Sequence, residues 1–218
     1  SLVASTQDRE RGDAIKLLVE KDLDVDLDIS PPARIRMDLD GPTRVTLQGI
    51  KVMPMDSFLG EFSEGGYDRR LYGITGKESF TVRPGEYVAT VSRGPEFSVV
   101  EETINVQSGE EWVFKESPVR QVESPGWVGG DFHQHTVFSL DSNMPVRTKL
   151  IENVVEGVDV AVTTDHDNLS DFAPYVEEMG LQNRIFTMIG EAPGSSNLPG
   201  DIPDRLSFIL AIKNFSLM

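Results

Sequence analysis

The three histidines of this chain lie in two short stretches, and each stretch follows an apolar run that is typical of a β-strand. His133 and His135 belong to the run Gly-Asp-Phe-His-Gln-His-Thr, and His166 belongs to Thr-Asp-His-Asp. Side chains two residues apart on a strand point to the same side, so His133 and His135 can bind one metal ion or two neighbouring ions. The clustering of histidine therefore predicts a metal site.

Carboxylates extend this predicted metal site. His166 lies 33 residues after His133, and Glu191 lies 25 residues after His166, intervals close to the ~30 residues of a strand-helix-strand unit. Each of these residues would then directly follow a parallel strand. The C-terminal ends of such strands form the edge of the sheet at which α/β proteins build their active sites. Asp141 can fold back to the same point, or it can cap a following helix. The predicted metal ligands are His133, His135, Asp141, His166 and Glu191.

The residues beside His166 have two possible roles. Asp165 and Asp167 can orient histidines through their second ring nitrogen, and Asp165 is also our candidate for a catalytic base. Nitrogen and oxygen ligands favour zinc, manganese or iron over calcium, and more than four candidate ligands indicate two or three divalent ions. Such ions lower the pKa of a bound water and neutralise the oxyanion formed at a carbonyl or phosphorus centre. The chemistry predicted is hydrolysis.

The elements that must position these residues alternate between strand and helix. Apolar residues repeat at intervals of three and four over 146–155, behind Pro145, which is typical of a helix. The apolar runs 159–164 and 185–189 predict buried strands, and residues 170–180 predict a second helix. Such alternation is typical of a parallel sheet with right-handed crossovers.

Residues 20–120 contain a succession of short strand-like runs separated by turn residues. Apolar residues and aspartates alternate over 22–29, which is typical of a half-buried strand with a solvated face rather than of a calcium site. A hairpin is predicted over 35–47 with its turn at Asp40-Gly41, and Pro84-Gly85 predicts another turn. No sustained helical period occurs in this part of the sequence. The pattern favours an antiparallel β-sandwich.

The chain is therefore predicted to contain two domains: a β-sandwich over 1–124 and a metal-binding domain over 125–218. Its 36 acidic and 20 basic residues give a net charge of −16, which repels phosphate backbones and argues against nucleic acid as a partner. No apolar run approaches the ~20 residues that cross a bilayer, so no membrane partner is expected. Without cysteine, disulfides and thiolate metal sites are excluded.

The motifs resemble the opening motifs of the PHP (polymerase and histidinol phosphatase) metal-dependent hydrolases. The resemblance is strongest to the CehA/McbA-like branch, typified by carbaryl hydrolases, in which a β-sandwich can precede the hydrolase domain. The matching segments are the His133–His135 run, Ser139-Leu140-Asp141-Ser142, Thr164-Asp165-His166-Asp167 and Ile189-Gly190-Glu191.

This resemblance implies a fold and a set of ligands. The implied fold class is an α+β two-domain protein, in which an N-terminal antiparallel β-sandwich is followed by the first part of a distorted seven-stranded (β/α) PHP-type barrel with a centre of two or three metals. His133, His135, His166 and Glu191 match family ligands, and Asp141 matches less securely. The family pattern continues with further histidines, whereas no histidine follows His166. We therefore expect this sequence to be part of a longer chain, rather than to carry a decayed site.

The function predicted is that of a metal-dependent hydrolase acting on a small molecule, either a phosphoester or a carbonyl ester or amide. The few basic residues between 131 and 191, which are Arg147, Lys149 and Arg184, favour a neutral substrate. The alternative is a non-enzymatic protein whose sandwich binds a partner or a glycan and whose metal site is decayed or structural. An acidic, cysteine-free chain with a leading sandwich slightly favours an exported bacterial protein, periplasmic or extracellular, and the sequence does not determine the oligomeric state.

Overall fold

The computed structural model describes residues 24–26, 31–50 and 70–192 of the chain. These residues form ten β-strands and two α-helices, which are arranged in three small sheets. The strands are β1 (Ala33–Met37), β2 (Thr43–Gly49), β3 (Arg70–Gly73), β4 (Ser79–Val82), β5 (Gly85–Ser92), β6 (Val100–Val106), β7 (Glu111–Phe114), β8 (Gly130–Gln134), β9 (Val160–Thr163) and β10 (Phe186–Ile189), and the helices are α1 (Val146–Val155) and α2 (Ala173–Glu178).

Strands β1 to β7 form the N-terminal unit, which consists of two sheets around one apolar core. The first sheet is antiparallel with the order β3-β2-β5-β6, and the second has the order β4-β1-β7. Strand β1 buries Ala33, Ile35 and Met37 and turns its two arginines outward, because successive side chains on a strand face opposite sides. The core draws on both sheets and includes Ile35, Met37, Leu39, Val45, Leu47, Val91, Ile104 and Phe114.

The pairing within the N-terminal unit differs from the prediction in two ways. Strand β1 pairs antiparallel with β4 but parallel with β7, so this unit is not wholly antiparallel. The hairpin predicted over 35–47 does not form, because β1 and β2 belong to different sheets. Gly41, with φ of +99°, still allows the chain to turn, but the turn carries the chain from one sheet to the other. Of the alternating run 22–29, only residues 24–26 are described, and they form no strand.

Strands β8 to β10 and the two helices form the C-terminal unit. The three strands are parallel in the order β10-β9-β8, with α1 between β8 and β9 and α2 between β9 and β10. The helix predicted over 146–155 and the buried strand predicted within 159–164 are confirmed. The core of this unit includes Val146, Leu150, Val154, Ala161, Phe172, Val176, Leu181 and Ile185.

The fold class predicted from the sequence is wrong. We expected an α+β protein ending in the first part of a (β/α) barrel, but the described residues contain far more strand than helix, in small sheets with only two helices, and they form no barrel. A barrel requires each tilted strand to continue the sheet until it closes on itself, whereas three parallel strands form an open sheet. The second helix is also shorter than predicted and spans only Ala173–Glu178. The strand-like run 205–213 lies outside the described residues.

The two units contact each other through the end of α1. Arg44 of β2 forms an ion pair with Glu156, and the Tyr72 hydroxyl donates a hydrogen bond of 2.9 Å to Glu152. Ile74 packs against the apolar core of the C-terminal unit. The predicted boundary at residue 125 is not tested by these contacts and stays a prediction. None of the helices in the described part of the chain is long and apolar enough to cross a membrane.

Two leucines allow a matched test of the C-terminal core. Leu150 is 0 % exposed in α1, whereas Leu140 is 99 % exposed. Leu150→Ala should lower the free energy of unfolding by about 2–5 kcal/mol because it leaves a cavity, and Leu140→Ala should change it by less than about 0.5 kcal/mol. Urea unfolding followed by circular dichroism measures both values. Equal effects of the two substitutions would contradict the placement of α1 on this core.

Candidate metal centre

Three of the five predicted ligands, His135, Asp141 and His166, come together at one edge of the parallel sheet. Strands β8 and β9 run in the same direction, so their C-terminal ends lie side by side. His133 lies in β8 and His135 follows its last residue, whereas His166 follows the end of β9 by three residues. The ring centroids of His135 and His166 are 4.7 Å apart. Two histidines that are distant in the sequence are therefore neighbours in the structure.

His135, Asp141 and His166 form a compact cluster. Their potential ligand atoms all lie within 4.8 Å of one another, and this is the group of three such residues found in the described ranges. Asp141 lies between the two rings: its Oδ2 is 3.4 Å from His166 Nε2, and its Oδ1 is 3.6 Å from His135 Nδ1. We call these three residues the ligand cluster.

His133 and Glu191 lie next to the ligand cluster. The Nε2 atom of His133 is 2.9 Å from the Nε2 atom of His135, and the His133 side chain is exposed. Glu191 is half-buried and precedes Ala192, which pairs with His166. A Cβ on Gly190 would lie 2.7 Å from the carbonyl oxygen of Thr163, so glycine lets the chain pass close to β9 just before Glu191. The assignment of His133 and Glu191 as ligands stays a prediction.

The contacts of Asp141 favour the ligand role that the sequence left open. Helix α1 has no side-chain cap, and Pro145 occupies its N-cap position, so Asp141 does not cap this helix. The Ser139 hydroxyl donates a hydrogen bond of 2.5 Å to Asp141 and is the main reason that the pKa of this carboxyl lies below its ordinary value. Partial burial raises the pKa of Asp141, whereas the nearby His135 and His166 lower it further. The lowered pKa extends to more acidic pH the range in which the carboxyl carries the negative charge that metal binding requires.

Asp165 lies beneath the ligand cluster and is fully buried. Its carboxyl oxygens accept hydrogen bonds from the backbone N–H of Thr136 at 2.5 Å, from the Thr136 hydroxyl at 2.9 Å and from the Ser170 hydroxyl. These contacts tie the loop after β8 to the loop after β9. None of them goes to a histidine ring, because Nδ1 of His135 contacts Ser139 and Nδ1 of His166 contacts the carbonyl of Ala192. Asp165 therefore holds the two loops together and does not orient a ring through its second nitrogen. The assignment of Asp165 as the catalytic base stays a prediction. Asp167 has φ of +51°, which turns the chain directly after His166.

The donor atoms of the site fit a transition metal. Imidazole nitrogen and carboxylate oxygen suit zinc, manganese or iron. Ligand atoms around a tetrahedral zinc lie about 3.3 Å apart, given bond lengths of about 2.0–2.1 Å. The separations of 2.9 Å between His133 and His135 and 3.4 Å between His166 and Asp141 bracket this value. Lone pairs at such distances repel each other unless a proton or a cation lies between them.

Three hydroxyl residues that support the site were missed in the sequence. Ser139 contacts all three members of the ligand cluster, whereas Thr136 and Ser170 hold Asp165. The sequence signals were their closeness to the ligands and, for Ser139, its place in a segment of the PHP resemblance. Neither signal singles out a hydroxyl, because serine and threonine are common in loops for many other reasons. Their roles depend on contacts between loops that follow different strands.

Comparisons with known proteins identified no similar protein. Neither a scan against models of protein families nor searches of curated proteins and of solved structures found a match for this chain. The resemblance to PHP hydrolases therefore depends on the motifs alone.

Removal of the Asp165 side chain distinguishes a structural role of this carboxyl from the role of a catalytic base. Asp165→Ala leaves the buried donors of Thr136 and Ser170 without an acceptor, so the free energy of unfolding of the metal-free protein should fall by about 1–3 kcal/mol. Glu177→Ala is the control and should leave this stability unchanged to within about 0.5 kcal/mol, because the Glu177 side chain is exposed on α2. Urea unfolding measures both variants. An Asp165→Ala protein with unchanged stability and no hydrolytic activity would instead support the catalytic base.

Proposed function

We propose that this chain is a metal-dependent hydrolase whose metal is held by His135, Asp141 and His166, with His133 and Glu191 as further ligands. The observation that carries the proposal is the ligand cluster, in which ligand atoms from two loops that are distant in the sequence all lie within 4.8 Å of one another. All three histidines of the chain lie in or beside this cluster. The motif resemblance to PHP hydrolases supports the same chemistry.

The exposure of the ligand cluster favours a catalytic over a structural metal. Structural zinc sites are closed by four protein ligands, whereas catalytic sites keep a position open to water or substrate. The Asp141 side chain is 54 % exposed, and the side chains of His135 and His166 are 18 % and 26 % exposed. A small molecule can therefore reach the ligand atoms from solvent. This exposure argues against the alternative of a purely structural site.

The residues of the chain and the bound ion have separate tasks in this proposal. A divalent ion in such a site supplies Lewis-acid activation of a water and of the oxygen of the scissile group. Asp141 contributes negative charge, and the two ring nitrogens of His135 and His166 contribute lone pairs. The Nδ1 atom of His166 lies 3.1 Å from the carbonyl oxygen of Ala192, which can only accept. That nitrogen carries the hydrogen, and Nε2 is left to bind.

The charges near the site favour a neutral substrate over a phosphoester. Arg147 forms an ion pair of 2.6 Å with Glu178, and Lys149 Nζ lies 4.0 Å from Asp131. Arg184 precedes β10 and so lies at the opposite end of that strand from Glu191. None of these three basic residues provides an unpaired positive charge at the ligand cluster. We therefore propose a carbonyl ester or amide as the substrate.

Exposed apolar side chains close in sequence to the predicted ligands support a substrate with an apolar group. Phe132, Phe138 and Leu140 are large, exposed side chains, and each is within three residues of a predicted ligand. Exposed apolar side chains beside polar ligand atoms are typical of small-molecule sites, in which apolar contacts bind and a few polar groups orient.

Metal binding is the first test of the proposed function. The wild-type chain should bind at least one equivalent of Zn²⁺ or Mn²⁺ in isothermal titration calorimetry. His135→Ala and His166→Ala should each weaken binding by more than about 100-fold, because loss of a residue that only orients a ligand already costs about 10–100-fold. Glu177→Ala, an exposed carboxylate on α2, is the matched control and should bind normally. Unchanged affinity in both histidine variants would refute the proposed site.

Hydrolysis is the second test. The metal-loaded chain should cleave 1-naphthyl acetate with a kcat/KM at least tenfold above that for p-nitrophenyl phosphate, and a chelator or His135→Ala should abolish the activity. A chain that binds metal but cleaves neither compound would favour the non-enzymatic alternative. Faster cleavage of the phosphate would reverse the proposed substrate class while leaving the metal site in place.

A further inference from the structure

The hydroxyl of Ser139 contacts every member of the ligand cluster. Its Oγ lies 3.1 Å from His135 Nδ1, 2.5 Å from Asp141 Oδ1 and 3.1 Å from the backbone nitrogen of His166. Ser139 is only 4 % exposed, so water does not compete freely for these contacts. One small side chain thus joins the loop that carries His135 and Asp141 to the loop that carries His166.

The hydrogen-bonding capacity of a hydroxyl fixes the direction of each contact. A serine hydroxyl has one hydrogen to donate and two lone pairs that accept. An ionised carboxyl only accepts, so the hydrogen of Ser139 goes to Asp141. The backbone N–H of His166 occupies one lone pair. The remaining lone pair faces His135 Nδ1, which must therefore carry a hydrogen.

This assignment decides which nitrogen of His135 can bind a metal. In a neutral imidazole only one nitrogen carries a hydrogen, so a hydrogen on Nδ1 leaves the lone pair on Nε2. The Nε2 atom of His135 is the one that lies 2.9 Å from Nε2 of His133. Ser139 is the hydrogen-bond partner of His135 Nδ1 at 3.1 Å, whereas the carboxyl of Asp141 lies 3.6 Å from the same nitrogen, beyond hydrogen-bond distance.

We propose that Ser139 is a positioning residue of the metal centre, which holds His135 in the Nδ1–H tautomer and fixes Asp141 and His166 around the same point. The tautomer is a property of the metal-free chain, whereas the effect on metal affinity rests on the proposed function.

The geometry excludes a role for Ser139 as a nucleophile. In a serine hydrolase the hydroxyl gives its hydrogen to histidine, and an acidic residue binds the other ring nitrogen. Here the hydroxyl donates to Asp141, and Asp141 lies on the same Nδ1 side of His135. The burial of Ser139 also keeps substrate away from its oxygen. Ser139 therefore acts through the ligands and not on the substrate.

Nuclear magnetic resonance of the histidine rings tests the tautomer directly. The full chain has three histidines, so the long-range ¹H–¹⁵N correlations of each ring can be assigned with single variants. The spectrum is recorded without metal at about pH 8.5, about two units above the ordinary histidine pKa of about 6.5. His135 should be the Nδ1–H tautomer in the wild type and should shift towards Nε2–H in Ser139→Ala. A wild-type His135 with its hydrogen on Nε2 would overturn the proposal even if Ser139→Ala failed to fold.

Metal affinity provides the second readout. Zn²⁺ should bind Ser139→Ala about 10–100-fold more weakly than the wild type, as is typical for loss of a group that orients a ligand. Ser142→Ala is the matched control, because its hydroxyl donates to the backbone carbonyl of His135 and not to its ring, and it should stay within about threefold of the wild type. Equal affinities of Ser139→Ala and the wild type would contradict the positioning role. If the wild type bound no zinc, the proposed function would fail, and the ring spectra would still decide the tautomer.

Discussion

The buried carboxyl group of Asp165 is the interaction on which the site depends. It accepts hydrogen bonds from the backbone and hydroxyl of Thr136 and from Ser170, and a buried acidic side chain is costly unless its oxygens are bonded in this way. Thr136 directly follows His135, and Asp165 directly precedes His166. One buried group therefore joins the loop that carries His135 to the loop that carries His166.

The site changes from buried to exposed over a short distance, which suits a metal centre. Asp165 and Ser139 are buried, His135 and His166 are half-buried, and Asp141 is mostly exposed. The groups that hold the ligands are thus protected from competing water, which strengthens their hydrogen bonds, whereas the ligand atoms remain open to solvent. The net charge of −16 attracts cations to such a surface. The parallel sheet supplies the rigid edge from which both loops leave.

Local patterns in the sequence predicted individual elements but not their arrangement. The helix at 146–155 and the buried strand after it were predictable because apolar periodicity is a local property. The hairpin at 35–47 was not, because β1 and β2 find their partners in different sheets. The partner of a strand is chosen by the apolar faces that meet in the core, and residues distant in the sequence supply those faces. The barrel was expected from motifs of a few residues, which carry no information on how many strands a sheet contains.

By itself, the sequence determined the chemistry available to this protein. A chain with three clustered histidines, many carboxylates and no cysteine can hold zinc only through nitrogen and oxygen, because residue type fixes the donor atoms. Only the tertiary structure decided that Asp141 joins His135 and His166 instead of capping a helix, and that Ser139 lies among all three. These contacts form over distances of about 3 Å, the range of hydrogen bonds, between loops that follow different strands. The order of residues along a chain does not specify distances on that scale.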